Sequence, residues 1–504
     1  MMSANFGRVD PLPASLWSVT LTALTKLVLR SVSEFSTMQL SHSSRIELLI
    51  RRAVLPVFLG CCICQLSAND EATSSAMSLE TAHALAVDQA PSLAIAQYRK
   101  QAAKAQWAEA RGAVLPQVSL FGEWSENTLS YDGTLGALYE EQRYPGERYG
   151  FQARQTLFNV SQFREVQRRD ALFDRSESDL AQAEIELLVR VTNAYLTVLI
   201  ADDTVGQFQA ESEALEKALE EAQALYARAL LPLTQVLETQ TRNETVKAEL
   251  IEAEGEAAIA RELLTELIGV RDFELMPIAQ AVALSPTLNT SDEAVAMALR
   301  NSPAISAAKE NLKAAEYGVK REKGTWWPEI NLIFSQQYSD VGFDNLTSPP
   351  RSTESLSIAV SYPLSQGGSG AARVRSAWAE YYATKEEMEG VKREVETRAR
   401  SAWVRLSASN KRVAAARQAL NTATVNVSAA KESVKAGTAR ITDVLFALAQ
   451  RTRAQRDRFF SEQQRVMAWL ELELLTGSAP TAVAPVLSDA LLSTAGASVM
   501  AVGQ

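Results

Sequence analysis

The chain has 504 residues, with 60 acidic against 50 basic side chains for a net charge of −10, three cysteines and two histidines. That balance argues against nucleic acid as a partner, because no excess of Lys and Arg is available to release phosphate counterions. No nucleotide-binding or nucleophile motif is recognisable, so the chain is not read as an enzyme, and no cofactor or metal is implied.

Residues 1–68 read as leader and signal peptide. Arg45 to Ala68 opens with Arg45, Arg51 and Arg52, continues through an apolar run from Ala53 to Ile63 and ends in the small residues Ser67 and Ala68, the layout of a secretory signal cleaved near Ala68. The competing reading of that run is a buried strand or a short membrane span. Signal peptides stand at the very N-terminus, so translation is expected to start at Met38. Cys61, Cys62 and Cys64 all fall inside the signal, which leaves the mature chain without disulfide or thiolate chemistry. A second reading takes Phe58-Leu59-Gly60-Cys61 as a lipoprotein site with Cys61 acylated. Beyond residue 68 the net charge is −13, for which solubility is a sufficient reason.

From Met77 one pattern is written twice, as residues 77–269 and 291–477. The first copy opens on Ala82, Leu85, Ala86 and Pro91-Ser92-Leu93 before an alanine-rich helix to Ala113; the second opens on Ala294, Met297, Ala298 and Pro303-Ala304-Ile305 before a like helix to about Lys323. Pro91 and Pro303 are 212 residues apart, as are Pro116 and Pro328; Val236-Leu237 precedes Val444-Leu445 by 208, as Gly269 precedes Gly477. An offset held over such a length marks an internal duplication, which replaces the two to four domains that length alone suggests.

Within each copy two short strands interrupt the helices. In the first, Val118, Leu120 and Trp124 face away from Ser119, Glu123 and Ser125, and Tyr149, Phe151 and Ala153 oppose Gly150, Gln152 and Arg154. In the second, Ile330, Leu332 and Phe334 alternate with Asn331, Ile333 and Ser335, and Leu356 to Tyr362 alternates large apolar with small or polar. Polar Gly/Pro-bearing loops, Asn127 to Glu147 and Ser339 to Glu354, join each pair. Two matching hairpins behind a signal peptide read as transmembrane strands, against the alternative of a soluble half-buried hairpin. No mature segment reaches the 18 or so apolar residues of a membrane helix. Open strand edges are not tolerated in lipid, so several chains must share one barrel.

The arms that follow are long. Val160 to Leu231 is 72 residues without proline and with Gly206 its only glycine; Ala371 to Ala436 is 66, with Gly390 alone. Either would reach roughly 100 Å as one helix. Small apolar residues at three- and four-residue spacing, such as Ala377, Tyr381, Ala402, Val404 and Leu406, indicate coiled-coil packing. Each arm breaks at a tight tip, and a descending helix follows: Leu233 to Ile268 and Ile441 to Thr476. Residues 270–290 read as a linker, and 478–504, without helical pattern, as a disordered tail.

This order of helix, two strands, long helix, tip and helix, repeated, with the second tip Gly437 to Gln450 reading GTARITDVLFALAQ, resembles the outer membrane efflux family typified by TolC. The resemblance covers about Met77 to Gly477. It implies a mixed, mainly α fold: long coiled-coil helices forming a periplasmic α-barrel, plus four transmembrane strands per chain in a twelve-stranded β-barrel shared by a homotrimer in outer membrane lipid. It further implies two partners, a periplasmic adaptor (membrane fusion) protein and an inner membrane pump, proton-driven or ATP-driven. The expected activity is passive efflux of small molecules, namely drugs, toxic compounds or metals. The alternatives are the exit duct of type I protein secretion and, in another class, a non-channel periplasmic coiled-coil structural protein.

The same resemblance points to the tips as the gate: Thr234 and Gln235 in the first, and Gly437, Thr438, Arg440, Thr442, Asp443 and Phe446 in the second. The family's threonine-aspartate pair is here Thr234 with Gln235. Asp443 matches the outer aspartate, the arginine's place holds Ala439 with Arg440 beside it, and the inner aspartate's place holds Phe446. Arg440 and Asp443 are expected to form a reduced polar ring, with Phe446 as an apolar constriction. The simpler alternative is that Asp443 only caps the descending helix. His83 reads as an ordinary helix residue.

Overall fold

The computed structural model describes residues 76–129, 142–276, 284, 288, 290–340, 349–436 and 438–492. The expected signal peptide, Met38, Cys61 and Gly437 lie outside the described residues. Two helices open the first repeat, α1 (Leu79–Gln89) and α2 (Pro91–Gly112), followed by strands β1 (Gln117–Leu129) and β2 (Gln142–Phe158) and the long pair α3 (Val160–Ala227) and α4 (Leu233–Ile268). The second repeat has the same order: α5 (Ser291–Asn301), α6 (Pro303–Gly324), β3 (Glu329–Asp340), β4 (Arg351–Ser361), α7 (Ser369–Lys435) and α8 (Ile441–Leu475).

Local chemistry sets the boundaries. Ser78 Oγ accepts from Thr81 N–H at the start of α1, and Thr290 Oγ1 from Glu293 N–H at the start of α5. Pro91 and Pro303 occupy the first turns of α2 and α6, where their missing N–H is no loss. The first long arm stops at Ala227 rather than Leu231, because Ala229 takes a left-handed φ of 59° and Leu230 N–H closes on Leu225 O at 2.9 Å. No glycine announces that ending in the sequence.

The long helices pack as coiled coils. Val395, Ala399, Ala402, Leu406, Ser409 and Val413 on α7 are buried at alternating steps of four and three, the heptad spacing of a left-handed supercoil. Val404, expected on that stripe, is 57 % exposed. The main core lies where both repeats meet: Leu187, Leu188, Val191 and Leu196 of α3 pack with Leu264 and Ile268 of α4 and with Leu470, Leu472 and Leu474 of α8. Each descending helix runs end-on into a short one. Gly269 stands against Gln89, while Gly477, at φ 103°, stands so near Asn301 that an added Cβ would meet that side chain at 2.3 Å; Asn301 Nδ2 also donates to Thr476 O at 2.7 Å. The short helices thereby complete the column above the longer descending ones.

Two further expectations change. The segment after 477 is not wholly disordered: Pro480–Leu492 forms a further helix, α9, whose Val483, Ala484, Leu487 and Leu491 are buried in the core. Residues 493–504 lie outside the described residues. The start of the expected linker is fastened, since Met77 pairs with Leu275 and Tyr195 Oη donates to Met77 O (3.0 Å) and Met276 O (3.3 Å).

Candidate functional site: an apolar sheet face and two helical tips

The four strands form one antiparallel sheet in the order β1-β2-β3-β4. Its register puts Leu120, Phe151 and Gln336 in one row, and Ala153, Phe334 and Leu356 in the row below. Because directly opposed residues share a face, Val118, Leu120, Trp124, Tyr149, Phe151, Leu332, Phe334, Leu356, Ile358 and Val360 all lie on one side. Leu120 is 84 % exposed and Leu356 71 %. The opposite side carries Ser119, Glu123, Arg148, Gln152, Ser335, Gln337, Thr353 and Ser355, with Arg148 paired to Glu123. A soluble hairpin would turn its apolar side toward the helices; here Val118, Leu120, Leu356, Ile358 and Val360 on that side are exposed.

Aromatic rings bound the apolar face at both ends. Tyr149 stacks on Tyr338 at 4.8 Å near the loops, and Phe158 lies 6.4 Å from Trp327 where the sheet meets the helices. Eleven residue steps separate Trp327 from Tyr338. That is about 36 Å of strand and, at the ~40° tilt of a barrel strand, about 28 Å of height, close to the hydrocarbon thickness of a bilayer. No described helix is long and apolar enough to cross a membrane.

The tips lie at the other end of the long helices. In the first, Thr234 is exposed in the opening turn of α4, and Gln235 is half-buried with its N–H on Pro232 O. In the second, Thr438 N–H and Oγ1 both donate to Ser433 O at 3.0 Å, closing the end of α7. Asp443 accepts the backbone N–H of Arg440 at 2.9 Å, so its carboxylate caps α8 and bonds the Arg440 backbone rather than the guanidinium. Thr442 is half-buried beside it. Phe446 is 65 % exposed between the buried Leu445 and Ala447, an aromatic ring held out from the coil. Leu445 shares one buried apolar cluster with Phe208, Leu215, Val246 and Ala253, so the start of α8 packs against the flank of the first hairpin.

Glu211, with Arg242 and Thr452, is a polar cluster the sequence reading passed over. Glu211 is buried on α3 between Phe208 and Leu215, and a charged residue inside an apolar heptad stripe was the signal available for it. His83 is buried in α1, and burial lowers its pKa, in keeping with a neutral packing residue. Among the described residues no group of three or more His, Cys, Asp or Glu is placed to hold a metal ion.

The sequence matches the family described as outer membrane efflux protein over residues 83–270 and 294–478, once in each repeat. It is 25 % identical to the alkaline protease secretion protein AprF of Pseudomonas aeruginosa, covering 80 % of this chain and 85 % of that one. It is 22 % identical to the outer membrane protein TolC of Vibrio cholerae over 85 % and 96 %. Among solved structures, the outer membrane protein VceC of Vibrio cholerae superposes with a TM-score of 0.69 at 19 % identity, over 79 % of this chain and 96 % of that one.

Proposed function

Because this chain belongs to the outer membrane efflux protein family, we propose that it is the outer-membrane duct of a tripartite export system, a passive conduit through which small molecules leave the cell. Proteins of this family are outer membrane channels and not enzymes, and the chain is an outer membrane protein with its helical barrel in the periplasm.

The observation that carries the reading is the open sheet. β1 and β4 each have one neighbour in the chain, so each leaves an outer edge unpaired beside a face built for lipid. In hydrocarbon every unpaired backbone group costs several kcal/mol, and the edges must close on other copies. Two copies would give eight strands, whose interior side chains fill the space; three give twelve and leave a lumen lined by the polar face. At 68 residues, α3 carries the wall about 100 Å away from the membrane. There the second tip lines the mouth, with Arg440 and Phe446 toward the passage, Asp443 fixing the turn that presents them, and Thr438 on the rim where an adaptor docks.

A second cargo has support from one observation. The likeness to AprF, a protein named for alkaline protease secretion, favours the exit duct of type I protein secretion. Both readings share one architecture, and the pump decides between them. A photoreactive residue in place of Thr438, cross-linked in living cells, captures the docked partner for mass spectrometry. An adaptor of a proton-driven pump is the outcome expected for small-molecule efflux. An adaptor of an ATP-driven exporter assigns protein secretion, and self-adducts without any adaptor would favour a structural coiled-coil protein instead.

A further inference from the structure

Between the two long helices α3 and α7, one position in the wall is filled by two shorter helices set end to end: α8 finishes at Leu475 and α6 starts at Pro303. Neither fills the step between them, and a cavity of about 800 Å³ opens there, lined from all four helices. That volume is in the range of small-molecule sites.

The floor is apolar, made by Ile185 and Val189 of α3 and by Met467, Ala468, Leu474 and Leu475 of α8. The charge around it is unbalanced: four arginines, Arg190, Arg398, Arg405 and Arg412, against Glu186 and Glu471. Arg405 is matched by Glu471, donating to both carboxylate oxygens at 2.7 and 2.8 Å, and Arg398 pairs with Glu394 at 2.5 Å. Arg190 and Arg412 donate instead to neutral oxygens, Ser92 Oγ at 2.7 Å and Gln464 Oε1 at 2.8 Å. Two guanidinium groups of the lining are thus left with positive charge that nothing nearby cancels.

Ser302 marks where an anion would sit. It is 6 % exposed, lines the cavity and stands at the N-cap of α6, yet its hydroxyl caps nothing and makes no hydrogen bond among the described residues. A buried polar group left so costs stability. The fold does not require it: 212 residues earlier the N-cap of α2 is Ala90, and that helix starts without a hydroxyl. The first amides of α6, beside Ser302, have no acceptor within the helix, and a helix of 22 residues presents positive partial charge there. Hydroxyl, amides and guanidinium groups are all donors, set around an apolar floor.

We propose that this cavity is a binding site for an amphipathic organic anion, a carboxylate or sulfonate on an apolar ring or chain, with its headgroup at Ser302 and the arginines and its body on the floor. The ligand is a free solute and not a membrane lipid, because the length of α6 sets the cavity about 33 Å from the sheet. The site is complete within one protomer, so it stands apart from the duct reading.

Anilinonaphthalene sulfonate, an anion on apolar rings, tests this by fluorescence titration of the full-length protein in phosphatidylcholine nanodiscs. Empty nanodiscs are the blank and uncharged phenylnaphthylamine is the second probe. The parent is expected to bind the sulfonate saturably, one per protomer, and about tenfold more tightly than the uncharged probe. Ser302→Ala and Arg190→Gln are each expected to raise its Kd about tenfold, the effect of losing one hydrogen bond to a charged group. Ser302→Ala places in the second repeat the residue that already opens α2 in the first, so its circular dichroism is expected to match the parent's. Arg400→Gln is the control: on the same helix as Arg398 and Arg405, it pairs with Asp292 of α5 at 3.0 Å, away from the cavity lining, and is expected to bind as the parent does. Parental Kd values in both Ser302→Ala and Arg190→Gln overturn the site, and so does a parent that binds no sulfonate saturably. Equal affinity for the uncharged probe would leave only an apolar crevice, and an equal loss in Arg400→Gln would mean a response to net charge; either overturns it too.

Discussion

Glu165, at the head of α3 just beyond the sheet, is held by three arginines at once. Arg168 Nε and Nη2 and Arg169 Nε donate to it at 2.8 Å, and Arg321 Nη1 of α6 reaches it at 3.0 Å. Burial alone would raise its pKa, but the bonds from Arg168, Arg321 and Arg169 outweigh burial and bring the carboxyl from 4.5 down to about 2. A folded-state pKa below the unfolded one stabilises the fold above pH 4.5 and loses that contribution as the pH falls toward 2. Glu165→Gln is therefore expected to melt lower than the parent at neutral pH, with the gap closing between pH 4.5 and 2; a gap independent of pH would show that packing, not charge, is at work. At the tip, Asp443 stands at the third position of α8, where its carboxylate accepts the N–H of the N-cap residue Arg440, a bond that an Asn side-chain oxygen can also accept. Asp443→Asn is expected to keep both stability and conductance, while Asp443→Ala loses about 1 kcal/mol of helix stability. A conductance change in Asp443→Asn would instead place the charge itself in the gate. Of the tip residues named from sequence, the placing of Asp443 in the first turn of the descending helix was legible, but not whether its carboxylate meets the Arg440 backbone or the guanidinium. Glu211 was not legible, because its partner Thr452 stands 241 residues away.

The strands and helices were legible to different degrees. Period-two alternation in β1 to β4 is enough to locate the sheet and sort its faces, since neighbouring side chains in a strand must point to opposite sides. Those faces carry a direct prediction. Ile358→Arg puts a charge on the lipid side, at a cost of about 2–4 kcal/mol near the bilayer centre, whereas Ser357→Arg, one residue away, faces the polar side. The first is expected to reduce trimer yield in outer membrane fractions and the second to leave it near the parent's; equal yields would mean the faces are assigned wrongly. Helix α9 escaped the sequence reading because Pro480 and Pro485 break the local pattern. Burial of Leu487 and Leu491 against the core offsets the hydrogen bond that Pro485 removes. The first arm was read four residues too long for a related reason: Ala229 adopts the left-handed conformation that the sequence would signal only with glycine.

At the scale of the molecule, one chain offers a strip of wall that is complete in neither direction. The sheet has free edges, one of its faces suits lipid, and the helices continue it far from the membrane. What the sequence by itself determined was everything encoded over a few residues and everything encoded by repetition: strands from period two, coils from heptads, helix ends from proline and glycine, and the doubled architecture from offsets of 212 and 208 residues. Only the tertiary structure decided which distant elements touch. It set Arg321 on Glu165, Asn301 on Thr476 and Thr452 on Glu211, docked α9, and committed Asp443 to a cap. The physical reason is that periodicity fixes which face of an element is apolar but not which apolar or polar face it will meet; that choice depends on chain connectivity and side-chain packing summed over the whole fold.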